Sequence, residues 1–396
     1  MRKKLKEVCD FYSGTGFPVK YQGENDGELP FYKVGDIANN ATAGNVYLSL
    51  CNNFISHDVA KEIKGTIIPS DVVVFAKIGE ALKLNRRAIT ACDCLIDNNA
   101  MGIGGKSEYL NSMYFYFYMK NLKMGTLAES TTVPSVRKTK LEEIEIDVPT
   151  LAEQSEIVDI LAKLQKVINE RQEQLQKLDE LIKARFVELF GDPKLNPKKW
   201  DVVNISEVVG GKVSNGFFAK RDDYCDDGNI RVLGVANIVN RMYSNLEDLP
   251  RTNANDKDIE KFEVKYGDML FCRSSLVAEG IGKASIIPED VQENILFECH
   301  VIRLPLDLSK CVPEFMQTLS TMDYFRTQII SQSKTATMTT IGQDGILKTD
   351  IILPPIDKQK EFYDFVKQVD KSKVAVQKSL DETQLLFDNL MQQYFG

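Results

Sequence analysis

The sequence contains few of the residues that most often build catalytic or metal centres. It has two histidines, one tryptophan and eight scattered cysteines among 396 residues. Neither Cys92-x-Cys94 nor the Cys299-His300 pair has a second pair of ligands at the spacing of a zinc site. We therefore expect reduced, structural cysteines and no bound metal, and histidine offers little for acid–base catalysis.

Long apolar runs are also missing. No stretch approaches the roughly 18 apolar residues that would predict a membrane span. The basic start, residues 1–6, is followed by Glu7 and Asp10 rather than by the apolar core of a signal peptide. The sequence therefore predicts a cytoplasmic protein. A content of 43% hydrophobic and 27% charged residues is typical of an ordered globular chain, and its length suggests two or three domains.

Three near matches to enzyme motifs fail in detail. Residues 100–107 (AMGIGGKS) have Ala where a phosphate-binding loop needs its first Gly. Gly14 and Gly16 follow Phe11 one residue too late for the Phe-x-Gly-x-Gly pattern of methyltransferases. Residues 353–356 (LPPI) lack both ends of the Asn/Asp-Pro-Pro-Tyr/Phe motif of adenine methylation. We therefore expect a noncatalytic chain that binds no cofactor.

The sequence does contain a long repeat. Residues 151–191 return as residues 356–396 without a gap, and both copies end in Phe-Gly. Apolar residues in both copies follow alternating four- and three-residue steps, which is the a/d pattern of a coiled-coil helix. The predicted seam consists of Ile157, Leu161, Leu164, Ile168, Leu175, Leu178, Ile182, Leu189, Phe362, Val366, Val369, Val376, Leu380, Phe387, Leu390 and Tyr394. The polar seam positions Arg171, Lys373 and Thr383 are expected to fix the register.

The repeat predicts how the two helices associate. A helix of about 40 residues is about 60 Å long and needs a partner for its narrow apolar stripe. The obvious partner is its own copy, and a two-fold relation makes the pair antiparallel. The alternative, two independent helices facing solvent, is disfavoured because both stripes keep their phase.

We therefore expect an α+β fold with two pseudo-symmetric α/β-mixed domains, joined by two long helices that form an intramolecular antiparallel coiled coil. The predicted boundaries are 1–148, 149–191, 192–353 and 354–396.

The globular segments repeat each other less closely than the helices do. Residues 214–217 correspond to 15–17, Gly234 to Gly35, residues 267–272 to 70–75, and residues 334–340 (KTATMTT) to 129–135. The repeated pattern indicates that a unit of one domain and one helix has been duplicated, and that the domains have diverged more than the helices.

Three segments carry a resemblance to a known family. LAEQSEIVDIL at 151–161 and RQEQLQKLDELIKARFVELFGDP at 171–193 resemble the central conserved region of type I restriction–modification specificity (S) subunits. PPIDKQKEF at 354–362 resembles their distal conserved region. The order domain, helix, domain, helix is that family's plan, so the resemblance covers the whole chain. The second helix departs by having Lys358 where the first has Glu153, which affects its expected subunit contacts.

The resemblance implies both function and partners. It implies two target-recognition domains, each reading one half of an asymmetric bipartite site in double-stranded DNA. The coiled coil is then expected to set the gap between the half-sites and to dock two methyltransferase (M) subunits. Restriction (R) motor–nuclease subunits would join in the full complex. S-adenosylmethionine is expected in the methyltransferase partner, ATP and Mg in the restriction partner, and no membrane is involved.

Polar loops at equivalent places in the two domains are the candidate DNA contacts. Arg and Lys suit guanine, Asn and Gln suit adenine, and Ser and Thr hold phosphates. In the first domain the candidates are Lys33, Lys77, Lys83, Arg86, Arg87, Thr131, Thr132, Ser135, Arg137 and Lys138. In the second they are Ser214, Asn215, Lys220, Arg231, Asn237, Arg273, Ser274, Ser275, Lys283, Thr337, Thr339 and Thr340.

The overall charge limits this hypothesis. A net charge of −8 argues against a protein that coats nucleic acid nonspecifically, although local basic loops are compatible with specific binding. Two alternatives remain open from the residues alone. One is a scaffold or adaptor whose end domains bind proteins, and the other is an enzyme with an unrecognised site.

Overall fold

A computed structural model describes residues 1–129 and 133–396. The candidates Thr131 and Thr132 lie outside the described residues. The chain divides into two compact units: unit 1 comprises Met1–Glu173 with Gln377–Gly396, and unit 2 comprises Gln174–Val376. Each unit therefore contains one globular domain and a part of each long helix.

The globular part of unit 1 mixes short strands with short helices. Its strands are β1 (Arg2–Lys4), β2 (Cys9–Ser13), β3 (Leu29–Tyr32), β4 (Phe54–Ile55), β5 (Val72–Ala76), β6 (Arg87–Ile89), β7 (Leu95–Ile96), β8 (Ala100–Gly105) and β9 (Glu145–Asp147). Its helices are α1 (Leu5–Val8), α2 (Val34–Thr42), α3 (His57–Glu62), α4 (Glu80–Lys83), α5 (Ser112–Asn121), α6 (Met124–Leu127) and α7 (Lys138–Glu142). The first long helix, α8 (Leu151–Phe190), follows.

The strands of unit 1 form three sheets. An antiparallel sheet has the order β2-β8-β5-β6, a second sheet has the order β4-β3-β7 with β3 parallel to β7, and β1 pairs with β9. Helix α5 packs on the first sheet because its aromatic residues Tyr114, Phe115 and Phe117 are buried in the same core as Val73 and Ile103.

Unit 2 is built from the same kinds of element. Its strands are β10 (Asp201–Asn204), β11 (Ser214–Asn215), β12 (Ile230–Leu233), β13 (Arg251–Thr252), β14 (Asp268–Cys272), β15 (Ser274–Ser275), β16 (Ala284–Ile286), β17 (Ile295–Phe297), β18 (Val301–Pro305), β19 (Lys334–Thr335), β20 (Thr339–Thr340) and β21 (Asp350–Leu353). Its helices are α9 (Asp256–Phe262), α10 (Pro313–Ser320), α11 (Asp323–Gln332) and α12 (Gln343–Leu347), and the second long helix is α13 (Ile356–Phe395).

The sheets of unit 2 repeat those of unit 1. The order β11-β18-β14-β16 corresponds to β2-β8-β5-β6, the order β13-β12-β17 to β4-β3-β7, and the pair β10-β21 to β1-β9. In both three-stranded sheets the central strand is parallel to one neighbour. Unit 2 adds a small sheet of order β15-β20-β19. The predicted α+β fold with a duplicated plan is confirmed.

The hydrogen bonds correct the detailed correspondence between the domains. The backbone N–H groups of Thr15 and Phe217 donate to the last carbonyl oxygen of β7 and of β17, at 2.9 and 2.7 Å. Gly216 therefore corresponds to Gly14, and the predicted correspondence with Gly16 is wrong. A Cβ atom on Gly14 would lie 1.7 Å from a backbone oxygen, and one on Gly216 would lie 2.2 Å from one, so neither position admits a side chain.

A second correspondence is also shifted. The N–H groups of Val34 and Val235 donate to the carboxylates that directly follow β7 and β17, at 3.1 and 2.8 Å. Gly234 therefore corresponds to Lys33, and the predicted match with Gly35 is wrong. The loops between strands differ in length, and this changes the offset along the chain.

The third shifted correspondence between the domains is at the start of β5 and β14. The carbonyl oxygens of Val72 and Asp268 accept a hydrogen bond from the first residue after β6 and β16, at 2.9 and 3.0 Å. Gly267 therefore corresponds to Asp71, one residue away from the predicted match. Both residues have positive φ, 91° and 64°, so this turn needs the left-handed conformation in both domains.

The long helices α8 and α13 are antiparallel partners. In unit 2, the Nη2 atom of Arg185 lies 3.1 Å from Oε1 of Glu361, and Nζ of Lys373 lies 2.6 Å from Oδ1 of Asp179. The late part of α8 therefore packs on the early part of α13. Lys373 is one of the predicted polar seam positions, and its ion pair shows how such a residue favours one register.

In unit 1, the early part of α8 packs on the late part of α13. Leu161 and Ile168 share a buried core with Phe387 and Met391. The buried seam positions are Leu161, Ile168, Ile182, Phe362, Val366, Val369, Val376 and Phe387. The half-buried seam positions are Ile157, Leu164, Leu175, Leu178, Leu189, Leu380, Leu390 and Tyr394.

A buried glutamine ties each long helix to its own domain. Oε1 of Gln359 accepts from the N–H of Val312 at 2.9 Å, and its Nε2 donates to the carbonyls of Lys310 and Pro354 at 3.1 and 2.8 Å. Gln154 makes the same three contacts in unit 1, at 2.8, 2.8 and 3.0 Å. Both side chains are fully buried, and each glutamine satisfies three backbone groups at the junction of its helix and domain.

Candidate nucleic-acid interface

The same structural point in both units presents a basic residue. Lys77 follows β5 and Arg273 follows β14, and their N–H groups donate to the carbonyl of the residue before β8 or β18, at 2.9 and 2.8 Å. Their own carbonyls accept from the N–H groups of Val136 and Ile341, both at 3.0 Å. Three chain segments therefore meet at this point and fix the backbone of the basic residue.

In unit 2 this point is surrounded by hydroxyl groups. Ser274 and Ser275 in β15 lie opposite Thr340 and Thr339 in β20. Oγ of Ser274 lies 2.9 Å from Nδ1 of His300. We call this surface the unit 2 edge, and it consists of Arg273, Ser274, Ser275, His300, Lys334, Thr335 and Thr340.

The counterpart in unit 1 has different chemistry. Ile78 stands where unit 2 has Ser274 and forms a bridge with Ser135, and Glu129 bridges Ser135 from the other side. Nε of Arg137 lies 3.0 Å from Oε1 of Glu129. Among the described residues, the unit 1 edge consists of Lys77, Ile78, Glu129, Ser135 and Arg137. It therefore contains an apolar residue where unit 2 has Ser274 and a carboxylate where unit 2 has Lys334.

Three other candidates of unit 1 lie on the exposed surface. Nζ of Lys83 is 2.8 Å from Oε1 of Glu80, and Nζ of Lys138 is 3.6 Å from Oε1 of Glu142. Arg86 is exposed, one residue before β6. Ion pairs on an exposed surface are weak, so both lysines can exchange these carboxylates for a phosphate at little cost.

Lys33 lies in a separate polar cavity of unit 1. Its Nζ donates to Oε1 of Gln22 at 2.9 Å, and the cavity of ≈ 450 Å³ is also lined by Asn39, Asn52 and Asn53. No contact places Lys33 at the unit 1 edge within the described residues.

The remaining candidates of unit 2 are divided between the edge and other surfaces. Near the edge, Nζ of Lys283 donates to Oδ1 of Asn240 at 2.7 Å, and Asn215 accepts from Nε2 of Gln343 at 3.3 Å. Thr337 is exposed at the turn between β19 and β20. Elsewhere, Arg231 donates to the carbonyl of Glu293, Asn237 accepts from the N–H of Gly234, and Lys220 precedes a short turn capped by Asp223.

Arg87 and Thr339 are too buried to reach DNA, and these two predictions are wrong, while the third residue here, Ser214, is half-buried. Arg87 is 3% exposed, because its guanidinium is enclosed by α5 and donates to the carbonyl of Leu122 at 2.6 Å. Burial lowers the pKa of Arg87 to about 9. Thr339 is 2% exposed and its hydroxyl lies 3.0 Å from that of Thr335. Oγ of Ser214 is buried without a partner among the described residues.

Sequence reasoning missed four polar residues of the unit 2 surface. Lys334 and Thr335 were inside the KTATMTT segment, and their place in a repeated loop was a usable signal. The sequence suggests for His300 only the role of a metal ligand, through its neighbour Cys299. Gln343 carries no signal in the sequence, because only the fold brings it to Asn215. Across residues 1–129 and 133–396, no group of three or more His, Cys, Asp or Glu side chains is placed to hold a metal ion.

Within the described ranges, no helix combines the length and the apolar character that crossing a bilayer requires.

Known proteins share this architecture. The specificity subunit of the type I restriction enzyme MjaIX from Methanocaldococcus jannaschii is 22% identical over 98% of this chain and 91% of that protein. The specificity subunit of the type I restriction enzyme EcoKI from Escherichia coli K12 is 22% identical over 86% of this chain and 76% of that protein. A crystal structure of a type I restriction–modification S subunit from M. genitalium matches with a TM-score of 0.53 at 12% identity, over 100% of this chain and 96% of that one.

The structural match supports the fold, while a family model identifies the family. The model described as type I restriction modification DNA specificity domain matches residues 1–180 and again residues 197–383. The two matches follow the duplication seen in the sheets and together cover most of the chain. The chain therefore belongs to the family of type I restriction modification DNA specificity domains.

Proposed function

We propose that this chain is the DNA-recognition subunit of a type I restriction–modification complex. Each globular domain acts as a target-recognition domain and reads one half of an asymmetric bipartite target in double-stranded DNA. Family membership supports the recognition of DNA sequence, and the two polar edges support a separate reader in each domain.

The observation that carries this proposal is the repeated edge with altered chemistry. Lys77 and Arg273 have the same backbone bonds, but their surroundings differ. Arg273 has a planar guanidinium that suits the two acceptors of guanine, and hydroxyls that suit phosphate surround it. Lys77 has Ile78 beside it, an apolar neighbour that suits a thymine methyl group. Domains with the same fold but different edges read different sequences.

The charge distribution sets how tightly the isolated chain binds. Each phosphate contact adds about −0.9 to the slope of log K against log salt, and each edge provides only a few cations. With a net charge of −8, the chain lacks the broad positive field that gives strong nonspecific binding. We therefore expect stable DNA binding only together with partner subunits.

The proposed complex assigns each chemical task to a different subunit. We assign methyl transfer to two methyltransferase subunits, which bind S-adenosylmethionine and dock on the long helices. ATP and Mg belong to the restriction subunits of the full complex. In unit 2 the exposed helix residues Leu181, Val187 and Val374 offer apolar surface for docking, as do Leu385 and Leu386 in unit 1. The coiled coil sets the gap between the half-sites, and this chain is noncatalytic.

Sequencing of methylated sites tests the proposal. The chain is reconstituted with its methyltransferase subunits and S-adenosylmethionine, applied to a random-sequence DNA library, and the methylated adenines are mapped. We expect one bipartite motif with an unread gap. The variant Arg273→Ala should relax one half of the motif and leave the other half unchanged, because the two edges lie in separate units.

Two results would contradict the proposal. Methylation without any sequence preference would show that the domains do not read DNA. Relaxation of both half-sites by Arg273→Ala would show that the two edges do not act as separate readers. Lys310→Ala serves as the matched control, because Lys310 is a basic residue of unit 2 that pairs with Asp307 away from the edge.

A further inference from the structure

Both domains present an exposed leucine in the segment that follows the equivalent basic residue, Lys77 in unit 1 and Arg273 in unit 2. In unit 2 this loop spans residues 276–281 and joins β15 to β16. Leu276 is 82% exposed and Val277 is 58% exposed. In unit 1 the corresponding segment spans residues 79–85 and includes α4, and Leu84 at the end of α4 is 57% exposed. We call these segments the tip loops. Each tip loop therefore places an exposed apolar side chain between two basic residues, near the start of the loop in unit 2 and near its end in unit 1.

Each tip loop is braced by an arginine, which is half-buried in unit 2 and buried in unit 1. In unit 2, Nη2 of Arg326 from α11 donates to the carbonyls of Glu279 and Ile281 at 3.0 and 2.6 Å. In unit 1, Nη2 of Arg87 lies 2.7 Å from Oδ1 of Asn85, which also accepts from the N–H of Met124 at 3.2 Å. Both tip loops are therefore held at their base, and their apolar ends are presented without further ordering on binding.

The basic residues on either side of each loop identify the partner as DNA. Lys77 and Arg86 flank the tip loop of unit 1, and Arg273 and Lys283 flank that of unit 2. Cations at the base of the loop hold phosphates, so the apolar end between them is directed at the bases rather than at another protein. Leu276 follows Ser275 directly, and Ser275 belongs to the unit 2 edge. DNA bound at the edge therefore meets the tip.

We propose that Leu276 with Val277, and Leu84 in the other domain, are apolar wedges that enter the base stack of the bound duplex and unstack one base step in each half-site. This inference rests on the proposed DNA-recognition function. Leucine wedges of this kind occur in proteins that kink DNA, where the cost of unstacking is offset by a larger contact surface. Flexible base steps are the easiest to open, so the wedges also add sequence preference without hydrogen bonds to the bases.

The test uses the complex with methyltransferase subunits and a duplex that carries the target site. 2-Aminopurine replaces one base at a time in each half-site, excluding the methylated adenine, because its fluorescence rises when it is unstacked. We expect a rise at one step of each half-site. Leu276→Ala should abolish the rise in one half-site and weaken binding about 5- to 20-fold, while Leu84→Ala should act on the other half-site.

Leu195→Ala is the matched control. Leu195 is 76% exposed in unit 2 and lies between α8 and β10, away from the tip loop. It should change neither the fluorescence nor the affinity. Because all three leucines are exposed, their replacement leaves the fold intact, and circular dichroism melts should be identical.

Each remaining outcome bears on the wedge in a defined way. The wedge proposal is wrong if no base step is unstacked in a complex that still methylates one specific motif. That result would leave the proposed function unaffected. The wedge proposal is also wrong if the rise persists in the double variant Leu276→Ala, Val277→Ala. If replacing thymine by uracil lowers the affinity and no base step is unstacked, the wedge proposal is wrong and the leucine contacts a thymine methyl group instead. Absence of any specific methylation would refute the proposed function and the wedge together.

Discussion

Replacing Gln359 by leucine removes the polar clamp between α13 and the domain of unit 2. The amide group of Gln359 satisfies the N–H of Val312 and the carbonyls of Lys310 and Pro354, and the side chain is fully buried. Leucine fits a similar volume but leaves these three backbone groups unpaired. Each unpaired buried group costs about 1–3 kcal/mol, and the added apolar surface returns about 1 kcal/mol. We therefore expect the free energy of unfolding of unit 2 to fall by about 4 kcal/mol.

The single tryptophan makes this effect measurable in one unit. Trp200 belongs to unit 2, and its indole N–H donates to the carbonyl of Phe190 at 2.9 Å. Urea unfolding followed by its fluorescence therefore reports on unit 2. With a slope of about 2–3 kcal/mol/M, Gln359→Leu should lower the midpoint by about 1.5 M.

Gln368→Leu is the matched control, because Gln368 is exposed on the same helix. It should shift the midpoint by no more than about 0.3 M, since exposed substitutions change stability by about 0.5 kcal/mol. Equal shifts for Gln359→Leu and Gln368→Leu would refute the clamp, because burial and the three hydrogen bonds would then contribute nothing measurable.

Three further predictions concern charge. Arg86→Ala should weaken specific DNA binding of the complex and reduce its salt slope by about 0.9, measured by titration at several salt concentrations. Arg87→Met should leave the salt slope unchanged, because the buried guanidinium contacts no phosphate, but it should weaken binding, because loss of the hydrogen bond to Asn85 loosens the tip loop. Asp268 is 5% exposed, and burial raises its pKa to about 6 from about 3.9 in the unfolded chain. The folded state therefore holds this proton more tightly, so the stabilisation is full below pH 4 and is lost as the pH rises through 6. Asp268→Asn should remove about 2–3 kcal/mol of this dependence, followed by Trp200 fluorescence.

Opposite results would identify which step of the reasoning fails. A reduction of the salt slope in Arg87→Met equal to that in Arg86→Ala would mean that the buried guanidinium reaches a phosphate of the duplex. A stability of unit 2 that rises between pH 4 and 6 in the unaltered protein, and not in Asp268→Asn, would mean that the ion pair with Arg303 outweighs the burial of Asp268.

The long helices could be predicted well because their repeat has no gap. Every a/d position keeps its phase, so the seam follows from the spacing of Leu161, Ile168 and their counterparts alone. The glutamines of the clamp are identical at equivalent positions, Gln154 and Gln359, but a hydrophobic pattern does not distinguish a buried polar residue from an exposed one. Their partners are backbone N–H and carbonyl groups. Every residue type has such groups, so the sequence contains no signal for these hydrogen bonds.

The candidate interface was predicted less well, because the exposure of each candidate depends on the register of the strand that carries it. Arg86 and Arg87 are neighbours with the same chemistry, but Arg87 begins β6 and points into the core, while Arg86 remains outside. One residue of strand register decides this, and the sequence does not fix that register. The correspondences predicted at Gly16, Gly35 and residues 70–75 are wrong for a related reason. Loops of different length change the offset between the two domains by one or two residues.

The division of the helices between the units also has a consequence for synthesis of the chain. The core of unit 1 includes Phe387, and the ring of Phe395 packs 5.1 Å from that of Tyr114. Both phenylalanines are translated after the whole of unit 2. At about 5–20 residues per second, the roughly 200 residues between Glu173 and Gln377 delay completion of unit 1 by about 10–40 s. The domain made first on the ribosome is therefore finished last, and until then its aromatic helix α5 offers an apolar face on which chaperones can act.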